Sequence, residues 1–254
     1  MATSARRLRE IKQRENLILD VAREMLIQSG YLGLNMDRIA EATEYSKGTI
    51  YQHFSCKEEV VMAICIQSLE QQLALFERAI TFQGRTREVV LAIGEAYDLF
   101  VHLYPHHFQS AQLVRSESIR DKTSPERQAR LHHSEHRCMA MVSGAIHQGI
   151  EQGDLVLPDW SGPAQLTFGL WSMAFGAYQL IASHTSHTGT SASGHTSLPD
   201  LGIQNPRETL FSNYHILLDG VGWQPLSHVW DYDDTRERIL KEVFPDEHRQ
   251  VQLG

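Results

Sequence analysis

Asn35-Met-Asp-Arg-Ile-Ala-Glu-Ala-Thr-Glu-Tyr-Ser-Lys-Gly-Thr-Ile-Tyr-Gln-His-Phe54 is the stretch whose reading decides the fold. It reads as two short helices joined by a tight turn. Asn35 is placed to cap the first, because its side-chain oxygen can accept one of the backbone N–H groups that open a helix without a partner. Ile39, Ala40 and Thr43 recur at helical spacing and face a core. Glu44 and Tyr45 make the turn, and Ser46 caps a second helix over 47–53. Ile50 and Phe54 lie on its inner face, which leaves Lys47, Thr49, Tyr51, Gln52 and His53 for the outer one. Gly48 puts no side chain near the N-terminus of that helix, so the backbone there can come close to a phosphate.

Charge is distributed to match. The chain has 254 residues and a net charge of −8. Residues 1–55 contribute a net +1 and the remainder −9. Arg6, Arg7, Arg9, Lys12 and Arg14 crowd the first fourteen positions. A basic end on an acidic body suits a protein that touches nucleic acid at one end, and argues against one that coats it. The first fourteen residues read as an arm that becomes helical towards its end, either solvated or in contact with a phosphate or the minor groove. Cys56, Cys65 and Cys138 are few, odd in number and widely spaced, which fits reduced thiols in a cytoplasmic protein. No apolar run is long enough to span a bilayer, and no signal peptide is evident.

Outward from the opening stretch, the pattern is helical throughout and the fold class expected is all-α. A first helix over 14–29 carries the stripe Leu17, Ile18, Val21, Ala22, Met25 and Leu26, with Gly30 placed for the positive-φ residue after its end. Ser55-Cys-Lys-Glu58 has the spacing of a capping box and opens a helix to about residue 80. Further helices are expected over 85–104, 106–116, 125 to 149 or 153, 160–183 and 206–219. Residues 184–204, rich in Ser, Thr, Gly and His, read as a loop. Asp233 to Phe244 forms one more helix, and Trp230 packs back on the body. The expected organisation is a DNA-binding domain over 1–55, an effector-binding and dimerisation domain over 56–222, and an extension over 223–254.

Ile18-Leu-Asp-Val-Ala-Arg, Gly30-Tyr-Leu-Gly-Leu, Ile39-Ala-Glu-Ala, Ser46-Lys-Gly-Thr-Ile-Tyr-Gln-His-Phe and Lys57-Glu-Glu, in that order, resemble the N-terminal domain of TetR-type transcriptional regulators. The likeness covers about a fifth of the chain. It implies a homodimer that reads a palindromic double-stranded operator and lets go when a small effector binds. Carried over by position, Lys47, Gly48 and Thr49 face bases or the nearest phosphates. Tyr51, His53 and Lys57 grip backbone oxygens. Asn35 stands where the family often has Thr or Ser, so it can both cap and donate to a phosphate. Tyr45 precedes Ser46 where the family commonly has a smaller apolar residue, which leaves its role open between packing inward and reaching DNA. Ser46 and Gln52 complete the candidate DNA-binding set.

The helix over 160–183 is apolar nearly all round and needs cover on more than one side. With the helix over 206–219 it resembles the family's dimer pair; being the central core helix is the competing account. Candidate effector-pocket residues are Phe100, Tyr104, Phe108, Leu113, Met139, Trp171, Phe175 and Tyr178, which imply a small, largely apolar or aromatic ligand. His132, His133 and His136, and His102, His106 and His107, form two groups that point to different chemistry, a metal sensor or enzyme. No carboxylate or Cys completes a known ligand pattern, so no metal, cofactor or catalytic residue is assigned. A third reading is an adaptor that keeps the fold but binds protein. No membrane partner is expected.

Overall fold

The computed structural model describes residues 2–111, 117–188 and 202–253. Among these residues every regular element is a helix: α1 (Ala2–Gly33), α2 (Met36–Thr43), α3 (Lys47–His53), α4 (Lys57–Ala79), α5 (Thr86–Leu103), α6 (Pro105–Ala111), α7 (Glu117–Arg120), α8 (Pro125–Glu151), α9 (Pro163–Thr188), α10 (Pro206–Gly220), α11 (Tyr232–Glu242) and α12 (Pro245–Leu253). None of them is long and apolar enough to cross a membrane. The chain forms two compact units, one of Met1–Ala74 with Phe100–Arg137, the other of Leu75–Leu99 with Cys138–Gly254.

The first unit is built on an apolar core in which Ile18, Ala22, Ile39, Ile50, Phe54, Val60 and Ile64 are almost wholly buried. The register of α1 differs by one position from the expected stripe. Leu19 is buried and Leu17 is 42% exposed, because Ile18, Ala22, Met25 and Leu26 already complete the inward face. One further expectation is corrected. The basic arm is helix from Ala2 onward rather than from about residue 14, a continuation of α1 that good helix formers (Arg, Leu, Glu, Lys, Gln) support. Gly30, at φ 64°, is the positive-φ residue expected there: the helical path breaks at it, and a further helical turn follows to Gly33. The first turns of α4, from Glu58 to Ile66, are buried on every side.

The second unit is held together by buried charges as well as by apolar side chains. Arg87 of α5 has no solvent exposure and donates to Asp219 Oδ1 at 2.6 Å, to the carbonyl of Trp223 at 2.8 Å and to that of Pro225 at 2.9 Å. Its guanidinium stacks on the Tyr232 ring at 4.6 Å. Two more ion pairs, Arg236–Glu95 and Arg207–Asp98, bury both carboxylates. Burial raises the Glu95 carboxyl above the usual carboxylate range, against the pull of Arg236. Trp223 is fully buried and bonds Thr86 Oγ1 at 3.0 Å. Its ring lies so close to Gly149 that a methyl group there would sit 2.8 Å from Cζ2. Residues 223–253 are therefore packed into this unit, with Ile239 and Phe244 at zero exposure. Trp230 returns to the body as expected, donating to Glu88 Oε1 at 3.3 Å. Helix α12 was not expected; α9 runs five residues beyond the expected end, and residues 189–201 of the expected loop lie outside the described residues.

Candidate nucleic-acid interface

The turn between α2 and α3 is set by side chains within fifteen residues of one another. Asn35 Oδ1 accepts the backbone N–H of Asp37 at 2.8 Å, and Ser46 Oγ accepts that of Thr49 at 3.1 Å. Between them Glu44 takes a left-handed conformation, φ 57°, and its N–H returns to the carbonyls of Ala40 and Glu41. A non-glycine residue tolerates that conformation when the helix end fixes it. Thr43 Oγ1 donates back to Ile39 O at 2.7 Å, so the last polar side chain of α2 is satisfied inside the core. Ile50 and Phe54 anchor α3 from below at 0% and 1% exposure. The result is a short, capped helix held rigidly with one face outward.

That outward face carries the residues expected of it. Asn35, Ser46, Lys47, Gly48, Tyr51 and Gln52 are exposed, and Thr49 and His53 are half-buried. Tyr45 is half-buried and packs against the core. Gly48 stands in open space: an added methyl would meet Ser46 Oγ at 3.8 Å and nothing closer. Lys47 pairs with Asp37 Oδ2 at 2.7 Å, a partner the sequence reading did not name, and this raises the lysine's affinity for its proton. Both groups are exposed, so the pair is weak and can be exchanged for a phosphate. Lys57 is less free. Its ammonium lies over the Tyr31 ring, 4.2 Å from the centroid, and 3.5 Å from Tyr31 O.

Tyr31 was also missed, and it joins α1 to α4. Its hydroxyl donates to Glu58 Oε1 at 2.8 Å, and Lys122 reaches the same oxygen at 3.1 Å. Burial works to raise Glu58, but these donors outweigh it and hold the carboxyl down at about 2. Burial and the carboxylate push the Tyr31 hydroxyl up to about 12. The expected capping-box glutamate thus turns its carboxylate towards α1 and the segment before α8.

A groove of about 660 Å³ lies beside α3, lined by Arg6, Arg7, Glu10, Ile11 and Arg14 of α1 and by Gln52 and His53. A second, of about 520 Å³, lies between α4 and α8 and is lined by mixed charges, among them Glu70, Glu126, Arg130 and Arg137. None of the described effector candidates lines it. Phe100, Tyr104 and Phe108 belong to the first unit, where the Phe100 and Tyr104 rings are 6.2 Å apart. Met139, Trp171, Phe175 and Tyr178 belong to the second, where Trp171 stacks on Phe175 at 5.8 Å. Tyr178 is buried and donates to Asp98 Oδ1 at 2.6 Å. Leu113 lies outside the described residues.

His132, His133 and His136 are exposed on α8. His107 is half-buried, bonded to Ser68 Oγ at 3.1 Å, and burial with Arg23 nearby lowers it to about 4. Among the described residues no three His, Cys, Asp or Glu side chains converge on a point where a metal ion would sit.

A buried three-helix core presenting a capped second helix defines a helix-turn-helix protein with a second helical unit attached. A family model described as bacterial regulatory proteins, tetR family, matches residues 18–64. The match covers about a fifth of the chain, the segment that runs from within α1 through α2 and α3 to the start of α4. Over 63 residues the chain is 38% identical to the HTH-type transcriptional regulator UidR of Escherichia coli (strain K12), a match covering 25% of this chain and 32% of UidR. The chain thus spans about a third of that relative's length. Among solved structures, the TetR family transcriptional regulator PfmR from Thermus thermophilus superposes with a TM-score of 0.58 at 21% identity, over 80% of this chain and 97% of PfmR. The transcriptional regulator FadR from Bacillus subtilis, solved in complex with stearoyl-CoA, superposes with a TM-score of 0.56 at 16% identity, over 81% of this chain and 98% of FadR. At these identities the likeness to both structures is one of fold.

Proposed function

We propose that this protein is a transcriptional regulator, not an enzyme, that binds duplex DNA through the outward face of α3 and acts as a repressor. The observation that carries the reading is the pairing of a rigid, double-capped turn with an exposed face of polar, hydrogen-bonding side chains. Such a helix enters the major groove as one body. Lys47, Gly48 and Thr49 meet bases or the nearest phosphates, while Tyr51, Gln52 and His53 hold the backbone. Asn35 and Ser46 sit where exposed helix starts meet phosphates, and Lys57 follows by leaving the Tyr31 ring.

The repressor works as a homodimer on a palindromic operator. The exposure of Phe168 (63%) and Leu180 (52%) on α9 and of Ile216 (70%) on α10 supports this, since apolar side chains of that size call for cover. A two-fold dimer of helix-turn-helix units requires two half-sites. The effector is small and largely apolar. The aromatic candidates of both units support that chemistry, and so does the fold shared with a FadR that was solved with stearoyl-CoA. Release requires the effector to favour one conformer over the other, because equal affinity shifts nothing.

Selection of bound sequences from a random duplex pool tests the reading, with Gly48→Ala as the control variant. Alanine at position 48 leaves the fold intact and raises helix propensity by up to about 1 kcal/mol. It nonetheless weakens binding of the selected duplex if the backbone lies against DNA there. Equal affinity in wild type and variant, or no salt-sensitive duplex binding at all, overturns the assignment.

A further inference from the structure

We infer that the groove between the N-terminal turns of α1 and the end of α3 is a second DNA-backbone site, which holds a phosphate run outside the track of the reading helix. The inference rests on the regulator reading above and extends it to residues ahead of 18, where the family match begins. Helix α1 starts at Ala2, so about four turns of helix precede the matched segment.

These turns are not a neutral extension. Arg7, Ile11 and Arg14 recur at i, i+4 and i+7, and Arg6 and Glu10 flank them, so one helical face looks into the groove. Gln52 and His53, from the outward face of α3, form the opposite wall. Arg6 is neutralised by Glu10 at 2.9 Å. Among the described residues Arg7 and Arg14 have no acidic partner at ion-pair distance, and both are exposed. Two unpaired guanidinium groups, with amide and imidazole donors across from them, form a donor-rich, cationic trough at the edge of a DNA-reading surface.

The spacing suits a duplex. Seven residues at 1.5 Å each separate Arg7 from Arg14 by about 10 Å along the helix. Two arginines that far apart can meet separate phosphates of one strand. Guanidinium groups bind phosphate oxygens through two parallel N–H donors, which fixes direction as well as charge. Contacts of this kind position a protein without reading sequence. The site therefore adds affinity and register to the helix-turn-helix and little discrimination.

The test uses the full-length Arg7→Gln/Arg14→Gln protein, since glutamine keeps the length and helix propensity of α1 and removes only the charge. Affinity is measured against salt for a duplex of about 30 base pairs selected by the wild type, and for an unrelated duplex of equal length. Loss of two phosphate contacts lowers the slope of log K against log salt by about 1.8 and weakens binding about 30-fold at 0.15 M salt, equally for both duplexes. Hydroxyl-radical footprinting of the wild type shows protected sugars flanking the central half-site that the variant leaves open, and Arg7→Lys/Arg14→Lys restores most of the slope. An unchanged slope and footprint in the glutamine variant, with wild-type binding intact, overturns this inference alone. A loss confined to the selected duplex overturns it too, because it marks base reading. Absence of salt-sensitive binding by the wild type overturns the regulator reading together with it.

Discussion

The two units solve the same problem, fixing helices against one another, by opposite means. In the first, neighbours in sequence do the work: Asn35, Glu44 and Ser46 set the turn within a dozen residues, over a core of Ile, Leu and Phe. In the second, the determining contacts join residues about 110 to 140 positions apart, as in Arg87–Asp219, Arg207–Asp98 and Arg236–Glu95. Local caps tolerate loss singly, because each satisfies one or two exposed backbone groups. A buried charge pair does not, because removal of one partner strands the other in a medium that cannot solvate it.

The largest effect therefore belongs to the second unit. Arg87→Ala removes the guanidinium shared by Asp219 and the carbonyls of Trp223 and Pro225; Ser227 still donates to Asp219 and Tyr232 to Pro225, and the loss of the buried charge is expected to cost about 3–5 kcal/mol in chemical denaturation. A loss below about 1 kcal/mol would break the contrast between the units. Next comes pH. Glu58 is held at about 2 in the folded protein, below its ordinary 4.5. Its contribution is thus complete above about pH 4.5 and is lost as pH falls towards 2. Linkage puts the loss at roughly 3 kcal/mol. Glu58→Gln should flatten the acid limb of the stability curve by that amount; an unchanged limb would show that the Tyr31 and Lys122 contacts contribute nothing. The smallest effects fall on the turn: Asn35→Ala and Ser46→Ala are each expected to cost about 1 kcal/mol by thermal unfolding. A cost above 3 kcal/mol for either would mean that the caps, and not the core beneath them, hold the turn.

The same contrast explains what the sequence revealed. Asn35, Ser46 and the Gly30 break are short-range signals, and all three act as their chemistry suggests. The packing of Tyr45 against the core depends on neighbours that spacing does not reveal. Leu17 was misassigned because Leu17 and Leu19 are equally apolar, and only the packing of α1 against its neighbours selects between them. The Lys47–Asp37 and Tyr31–Glu58 contacts bridge different helices, and periodicity carries no information about them. Pro245 followed by Asp246 and Glu247 is a legible helix start, and α12 could have been found from it. The partners of Arg87, Glu95 and Asp98 could not, since charged residues on a helix ordinarily face solvent. The effector candidates rest on aromatic and apolar side chains, whose type does not distinguish a pocket wall from plain core.

The claim on which the rest depends is that the outward face of α3 grips duplex DNA. Tyr51, 50% exposed and outside the core, tests it most directly. Titration of wild-type and Tyr51→Ala protein with a selected and an unrelated duplex, at matched thermal stability, should show the variant weakened by about tenfold on both with the salt slope kept, since a phenol hydroxyl neutralises no phosphate. Equal affinity in a folded variant would contradict the account.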